Sequence, residues 1–311
     1  MFDRSRFGKI LVPLLTPFDD ATGDLDLERV RGLVTHLIDS GNADSLVLTG
    51  TTGEFHTMTY EERVSLLSVV HDEFGDRIAA VAGVGCASTR KTVALAKEAE
   101  RIGYDTVMVV APYYAKPNQR ELYDHFRAVA EAVDLSVMLY NIPIFTGVNI
   151  APETVARLSE ISNIVAIKEE AELNPKQMTA FLNATPPDFL VYNGDDTMIL
   201  EAYAQGGAER IGGIISGASH LVGNQLRDMI ERFLDGRIAE AAALQQRFLP
   251  LFRIMGQNER VNPAALWKDA LRLAGIDAGV PRLPLSTGTP DEVARIRELL
   301  SQLNLISTPT S

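Results

Sequence analysis

The feature that most constrains the fold is a unit that repeats eight times. Short runs rich in apolar and β-branched residues lie at 10–16, 45–49, 78–82, 106–111, 136–140, 164–168, 189–193 and 211–215. Several are almost continuously apolar, as in Val107-Met108-Val109-Val110, the pattern of parallel strands covered on both faces. Stretches with helical periodicity lie between them, at 27–39, 60–73, 89–101, 119–132 and 152–158. Many open on a capping signal: Thr59 ahead of Glu61-Glu62, Ser88-Thr89, and Pro152 in a first turn. The run ends, taken as Thr16, Thr51, Gly83, Ala111, Tyr140, Lys168, Asn193 and Ile215, are 22–35 residues apart, one βα unit each. Eight such units predict an α/β fold, a (β/α)8 TIM barrel spanning residues 1–225. A doubly wound open sheet is the alternative, because periodicity alone does not prove closure. Helical stretches at 221–233, 238–255, 263–274 and 291–303 follow, and predict a C-terminal helical extension of the same domain over 226–311.

Composition narrows the function classes. With 46% hydrophobic residues in 311, the chain can bury a large core, and barrels of this length form one domain. A net charge of −12 argues against a basic stripe, so no nucleic-acid partner is expected. The single cysteine, Cys86, excludes an internal disulfide and a multi-cysteine metal site, and fits a reducing compartment. No apolar run is long enough to span a membrane, and the polar, charged first residues carry no apolar signal core. A cytoplasmic protein with no membrane partner is expected. The five histidines, His36, His56, His71, His125 and His220, are scattered without a paired-ligand spacing, so no metal site is expected.

In a barrel the loops after the strands build the active site. Lys168 ends the apolar run Ile164-Val165-Ala166-Ile167. Desolvation at that place lowers an amine's pKa and makes it a nucleophile toward a carbonyl; the plainer alternative is a surface ion pair with Glu169. Tyr140 ends the preceding unit and can pass protons there, or can simply pack under a helix. Adjacent units place the two side by side. The segment Gly50-Thr51-Thr52-Gly53-Glu54 reads as a tight turn suited to a carboxylate, and is no phosphate loop because no Gly-Lys-Ser/Thr follows. Tyr113-Tyr114, after the fourth strand, reads by itself as an aromatic surface pair. Gly212-Gly213 is a close approach to a ligand or a bend.

Taken together, Gly50-Thr51-Thr52-Gly53-Glu54, Pro112-Tyr113-Tyr114, Tyr140-Asn141-Ile142-Pro143 with Thr146-Gly147, Ile167-Lys168-Glu169 and Gly194-Asp195-Asp196 resemble the dihydrodipicolinate synthase and N-acetylneuraminate lyase family, in order and spacing, over nearly the whole chain. The resemblance implies a homotetrameric barrel enzyme acting on pyruvate or another 2-keto acid and an aldehyde. It implies a covalent imine at Lys168 and no other cofactor or metal. By position, Tyr140 relays protons and Thr51 links its phenol to Tyr114 of a neighbouring subunit. Thr51, Thr52 and Gly53 hold the keto-acid carboxylate, and the backbone at Ile215 closes the pocket.

Two positions depart from the synthase pattern. Phe145 stands where the synthases carry an arginine that grips the carboxylate of aspartate semialdehyde, and a phenyl ring supplies no charged fork. After Lys168 the synthases run Glu-Ala-Thr-Gly, whereas this chain has Glu169-Glu170-Ala171-Glu172. The leading expectation is therefore a Schiff-base lyase or aldolase that condenses pyruvate with an aldehyde or cleaves a 2-keto acid, a 2-keto-3-deoxy sugar acid for instance. A genuine 4-hydroxy-tetrahydrodipicolinate synthase is the second reading. A non-catalytic 2-keto-acid binding protein is the third.

Overall fold

A computed structural model describes residues 4–170 and 176–307. Its strands are β1 (Ile10–Pro13), β2 (Ser45–Leu48), β3 (Ala79–Gly83), β4 (Thr106–Val110), β5 (Ser136–Asn141), β6 (Ile164–Glu169), β7 (Leu190–Asn193) and β8 (Ile211–Ile215). All pair in parallel in sequence order, and β8 returns to β1, with Ile10 opposite Ile214. The sheet is closed, which removes the open-sheet alternative.

Side chains alternate along each strand, and the alternation divides the core in two. Leu11, Val47, Val81, Met108, Val110, Met138, Ala166, Leu190 and Tyr192 fill the barrel interior. Ile10, Leu46, Leu48, Val107, Val109, Leu139, Ile167 and Val191 face outward and pack beneath the helices. Lys168, two residues after the inward Ala166, thus points up the inside of the barrel at its C-terminal end.

The helix Tyr60–Phe74 starts with a capping box: Thr59 accepts from the Glu62 backbone N–H, and the Glu62 carboxylate accepts from that of Thr59. The periodic stretches at 27–39 and 152–158 form helices with those bounds, Leu27–Asp39 and Pro152–Leu158. The first strand stops at Pro13, short of the expected Thr16. Two further helices, Gln177–Ala184 and Ile199–Arg210, complete βα units for which no helical stretch is named above. One has only eight residues, and the other ends through Gly206-Gly207 with Gly207 at φ 62°. The division drawn at 225/226 falls inside the helix Ser219–Leu234, which packs on β1 and on the helix Ile238–Ile254. The helices Ala264–Leu273 and Pro290–Gln302 complete the extension. No described helix is long and apolar enough to cross a membrane.

Candidate active site

Register brings Lys168 to its neighbours: it lies opposite Tyr140 on β5 and Tyr192 on β7. The residue is only 4% exposed, and Nζ lies 3.1 Å from the Tyr140 hydroxyl oxygen. Burial lowers the ammonium pKa, against the opposing pull of Glu170 and Asp196. A lysine so placed spends more of its time as the neutral amine than an exposed one does, as a carbonyl nucleophile requires. Burial raises the Tyr140 phenol well above its ordinary value, with Glu170 adding to the effect, so the phenol keeps its proton.

Room for the lysine comes from Gly194. A Cβ there would lie 2.6 Å from Lys168 Cε and 3.1 Å from Glu170 Cβ. We expect Gly194→Ala to displace the amine and slow any reaction through it about tenfold or more, since misplacement by an ångström is costly. The check is turnover compared with wild type, with far-ultraviolet circular dichroism unchanged.

The turn after β2 brings Thr51 to the phenol, Oγ1 to Oη 3.5 Å, while Thr52 stands half-buried beside it. Gly53 is required by space: a Cβ would meet Leu14 O at 2.9 Å, and its carbonyl accepts from Thr16 Oγ1 at 2.7 Å. Glu54 closes the turn with φ at 54° and is anchored from the C-terminal extension. Its carboxylate accepts from Lys268 Nζ at 2.5 Å and from the Arg282 backbone N–H at 2.9 Å. Ile215, 1% exposed, ends β8 at the interior core. Tyr114 is not gathered into this site: its side chain is 95% exposed, at φ 70°.

Beside these residues lies a cavity of about 220 Å³ lined by Thr51, Phe55, His56, Val110, Phe145 and Asn262, among others, with no lysine or arginine among the described residues of its wall. Phe145 enters it from the short helix Pro143–Thr146.

From the sequence, Glu170 stands out only as a departure from the synthase pattern. The structure brings its carboxylate into the centre: Oε2 accepts from the Tyr140 hydroxyl at 2.9 Å and lies 3.4 Å from Lys168 Nζ. The available signal was spacing, because residues two apart on an extended chain share a face. The Glu170 backbone N–H indeed continues the ladder to Asn141 O. Glu169, by contrast, points away, toward Asn141 Nδ2 and Gln177 Nε2, which removes the alternative of a Lys168–Glu169 surface pair. Ala171 and Glu172 lie outside the described residues. Among the described residues no three His, Cys, Asp or Glu side chains converge as a metal site requires.

A buried strand-end amine beside a phenol that keeps its proton can form an imine with a carbonyl compound. The model of the dihydrodipicolinate synthetase family matches residues 6–303. The 4-hydroxy-tetrahydrodipicolinate synthase of Desulforudis audaxviator is 46% identical over 300 residues, covering 96% of this chain and 99% of that one. The crystal structure of a dihydrodipicolinate synthase from Bacillus anthracis superposes with a TM-score of 0.89 at 39% identity, covering 100% of both chains. A dihydrodipicolinate synthase variant described as monomeric matches with a TM-score of 0.88 at 33% identity, over 97% of this chain and 99% of that one. The chain belongs to the dihydrodipicolinate synthetase family, enzymes that hold pyruvate as a lysine Schiff base and need no separate cofactor.

Proposed function

We propose that this enzyme joins pyruvate to an aldehyde through an imine on Lys168. The observation that carries the proposal is the buried Nζ, 3.1 Å from the Tyr140 hydroxyl at the C-terminal end of a closed barrel. The neutral amine attacks the keto carbon, and loss of water leaves a protonated imine. That cation draws electrons from the neighbouring methyl group, which gives up a proton and becomes an enamine nucleophile. Thr51, Thr52 and Gly53 are the candidates to hold the pyruvate carboxylate, with the backbone at Ile215 the candidate to close the pocket. The names of the relatives support the synthase reading, with aspartate semialdehyde as acceptor, over cleavage of a 2-keto-3-deoxy sugar acid. The test is pyruvate-dependent consumption of aspartate semialdehyde, set beside sugar-derived aldehydes. Turnover with the semialdehyde supports the synthase, and turnover only with the others refutes it.

One observation favours a different acceptor. With Phe145 in the wall and no lysine or arginine among its described residues, a second carboxylate finds neutral donors such as Asn262 and Thr146, or His56, there but no charged fork. We expect Phe145→Arg to raise kcat/KM for aspartate semialdehyde by roughly 10–100-fold, the worth of one charge-assisted hydrogen bond, and to leave the KM for pyruvate in place. An unchanged kcat/KM would show that the carboxylate is gripped elsewhere.

The exposed Tyr114 supports an assembly in which a neighbouring copy receives the ring, in keeping with a homotetramer. The single cysteine is in keeping with a cytoplasmic location.

A further inference from the structure

Glu170 stands where the synthase pattern has alanine, yet its carboxylate is the closest partner of the phenol, at 2.9 Å against 3.5 Å for Thr51. The same oxygen, Oε2, lies 3.4 Å from the lysine nitrogen. One carboxylate thus touches both groups of the reaction from within its own chain. We propose that Glu170 is a catalytic acid of this enzyme, supplying through Tyr140 the proton that lets water leave when the imine forms.

This role rests on the imine at Lys168 proposed above. The balanced step begins at the carbinolamine, formed when the neutral amine adds to the keto carbon, the nitrogen loses a proton and the oxygen gains one. The phenol of Tyr140 gives its proton to the carbinolamine hydroxyl. The C–O bond breaks and water departs. The nitrogen lone pair forms the C=N bond, leaving a protonated imine. For this step the phenol O–H turns from Glu170 Oε2 to the carbinolamine hydroxyl, and Glu170, protonated at the start, passes its proton across the same 2.9 Å to the phenolic oxygen and ends as a carboxylate. The carboxylate then faces the new cation, whose charge it balances at close range. No further reactant is needed.

The surroundings favour the protonated form of Glu170. Burial raises the Glu170 pKa, and the nearby Asp195 carboxylate raises it further; Lys168 and the Tyr140 hydroxyl oppose them. Asp196 also lies close, its own carboxyl pushed up to about 7, chiefly by burial. Burial thus moves the lysine and the glutamate toward each other, favouring neutral amine beside neutral acid over the ion pair. The neutral pair is the reactive one: it presents nucleophile and acid together.

The experiment follows the rate at which pyruvate is trapped on the protein by cyanoborohydride, read by intact mass across about pH 6 to 9. It compares wild type, Glu170→Gln and Glu170→Asp. Wild type is expected to lose rate on the alkaline side as the acid ionises. Glu170→Gln is expected to trap pyruvate about 100-fold more slowly and to lose that alkaline limb. Glu170→Asp, which retains a carboxylate, is expected to recover part of the rate together with the limb. A Gln variant that traps pyruvate as fast as wild type, or slowly with the alkaline limb intact, would overturn the role of Glu170 alone. No trapping in wild type would overturn the imine itself, and this role with it.

Discussion

Lys168→Ala is expected to lose turnover by at least about four orders of magnitude, because it removes the covalent step rather than weakening a contact. The loss is expected in kcat, with the folded state intact. The lysine side chain is held for chemistry at a cost: its charge is buried, and among the described residues its polar partners are the phenol and the half-buried Glu170. Truncation removes that desolvation cost and opens space beside Gly194. Lys168→Arg is expected to be equally inactive, since a guanidinium stays protonated and cannot add to a carbonyl. Steady-state assay with the best acceptor, together with a urea unfolding curve for each variant, checks both halves. Turnover within tenfold of wild type in Lys168→Ala would mean that no lysine imine is on the path.

The second large effect is on stability and concerns Lys268. This residue is fully buried, and its ammonium donates to Glu54 Oε1 at 2.5 Å, to Thr16 O at 2.7 Å and to Val280 O at 2.8 Å. It also lies 4.7 Å from the centre of the Phe18 ring. Burial lowers its pKa to about 8, against the opposing pull of Glu54. Lys268→Ala leaves the Glu54 carboxylate buried with the Arg282 N–H and without its cation. Breaking a buried pair from one side costs about 3–5 kcal/mol, and that loss is expected in urea unfolding. Replacing both partners, as Lys268→Met with Glu54→Gln, removes the orphaned charge and is expected to recover much of the loss. Because Glu54 closes the turn that carries Thr51, the single variant is also expected to raise the KM for pyruvate. A loss below about 1 kcal/mol would place the pair among ordinary surface contacts.

The Lys268–Glu54 pair also marks the limit of what was legible in the sequence. The eight strands and the alignment of Lys168 with Tyr140 are local consequences of period and spacing, and both are present in the fold. The helix Leu27–Asp39 was readable because its apolar residues Val30, Leu33, Val34 and Leu37 recur at helical spacing. Lys268 and Glu54 are 214 residues apart, and no periodic signal links a lysine in an amphipathic helix to a turn glutamate. Glu170 was half legible. Its charge was visible, but its direction followed from the ladder continuing one residue past Glu169, a boundary that composition does not mark. Phe145 was legible as a departure. What the sequence left open was that no described lysine or arginine lines the cavity, which depends on how Phe55, Val110 and Asn262 converge from three separate loops and strands.

The central claim is that Lys168 forms an imine with pyruvate, and intact mass after incubation with pyruvate and borohydride tests it most directly. The predicted result is a single stable adduct, the mass of a reduced pyruvyl group, on wild type and none on Lys168→Ala, with the modified residue located by peptide mapping at Lys168. A folded wild-type protein that gains no mass, or a Lys168→Ala variant that gains the same mass, would contradict it.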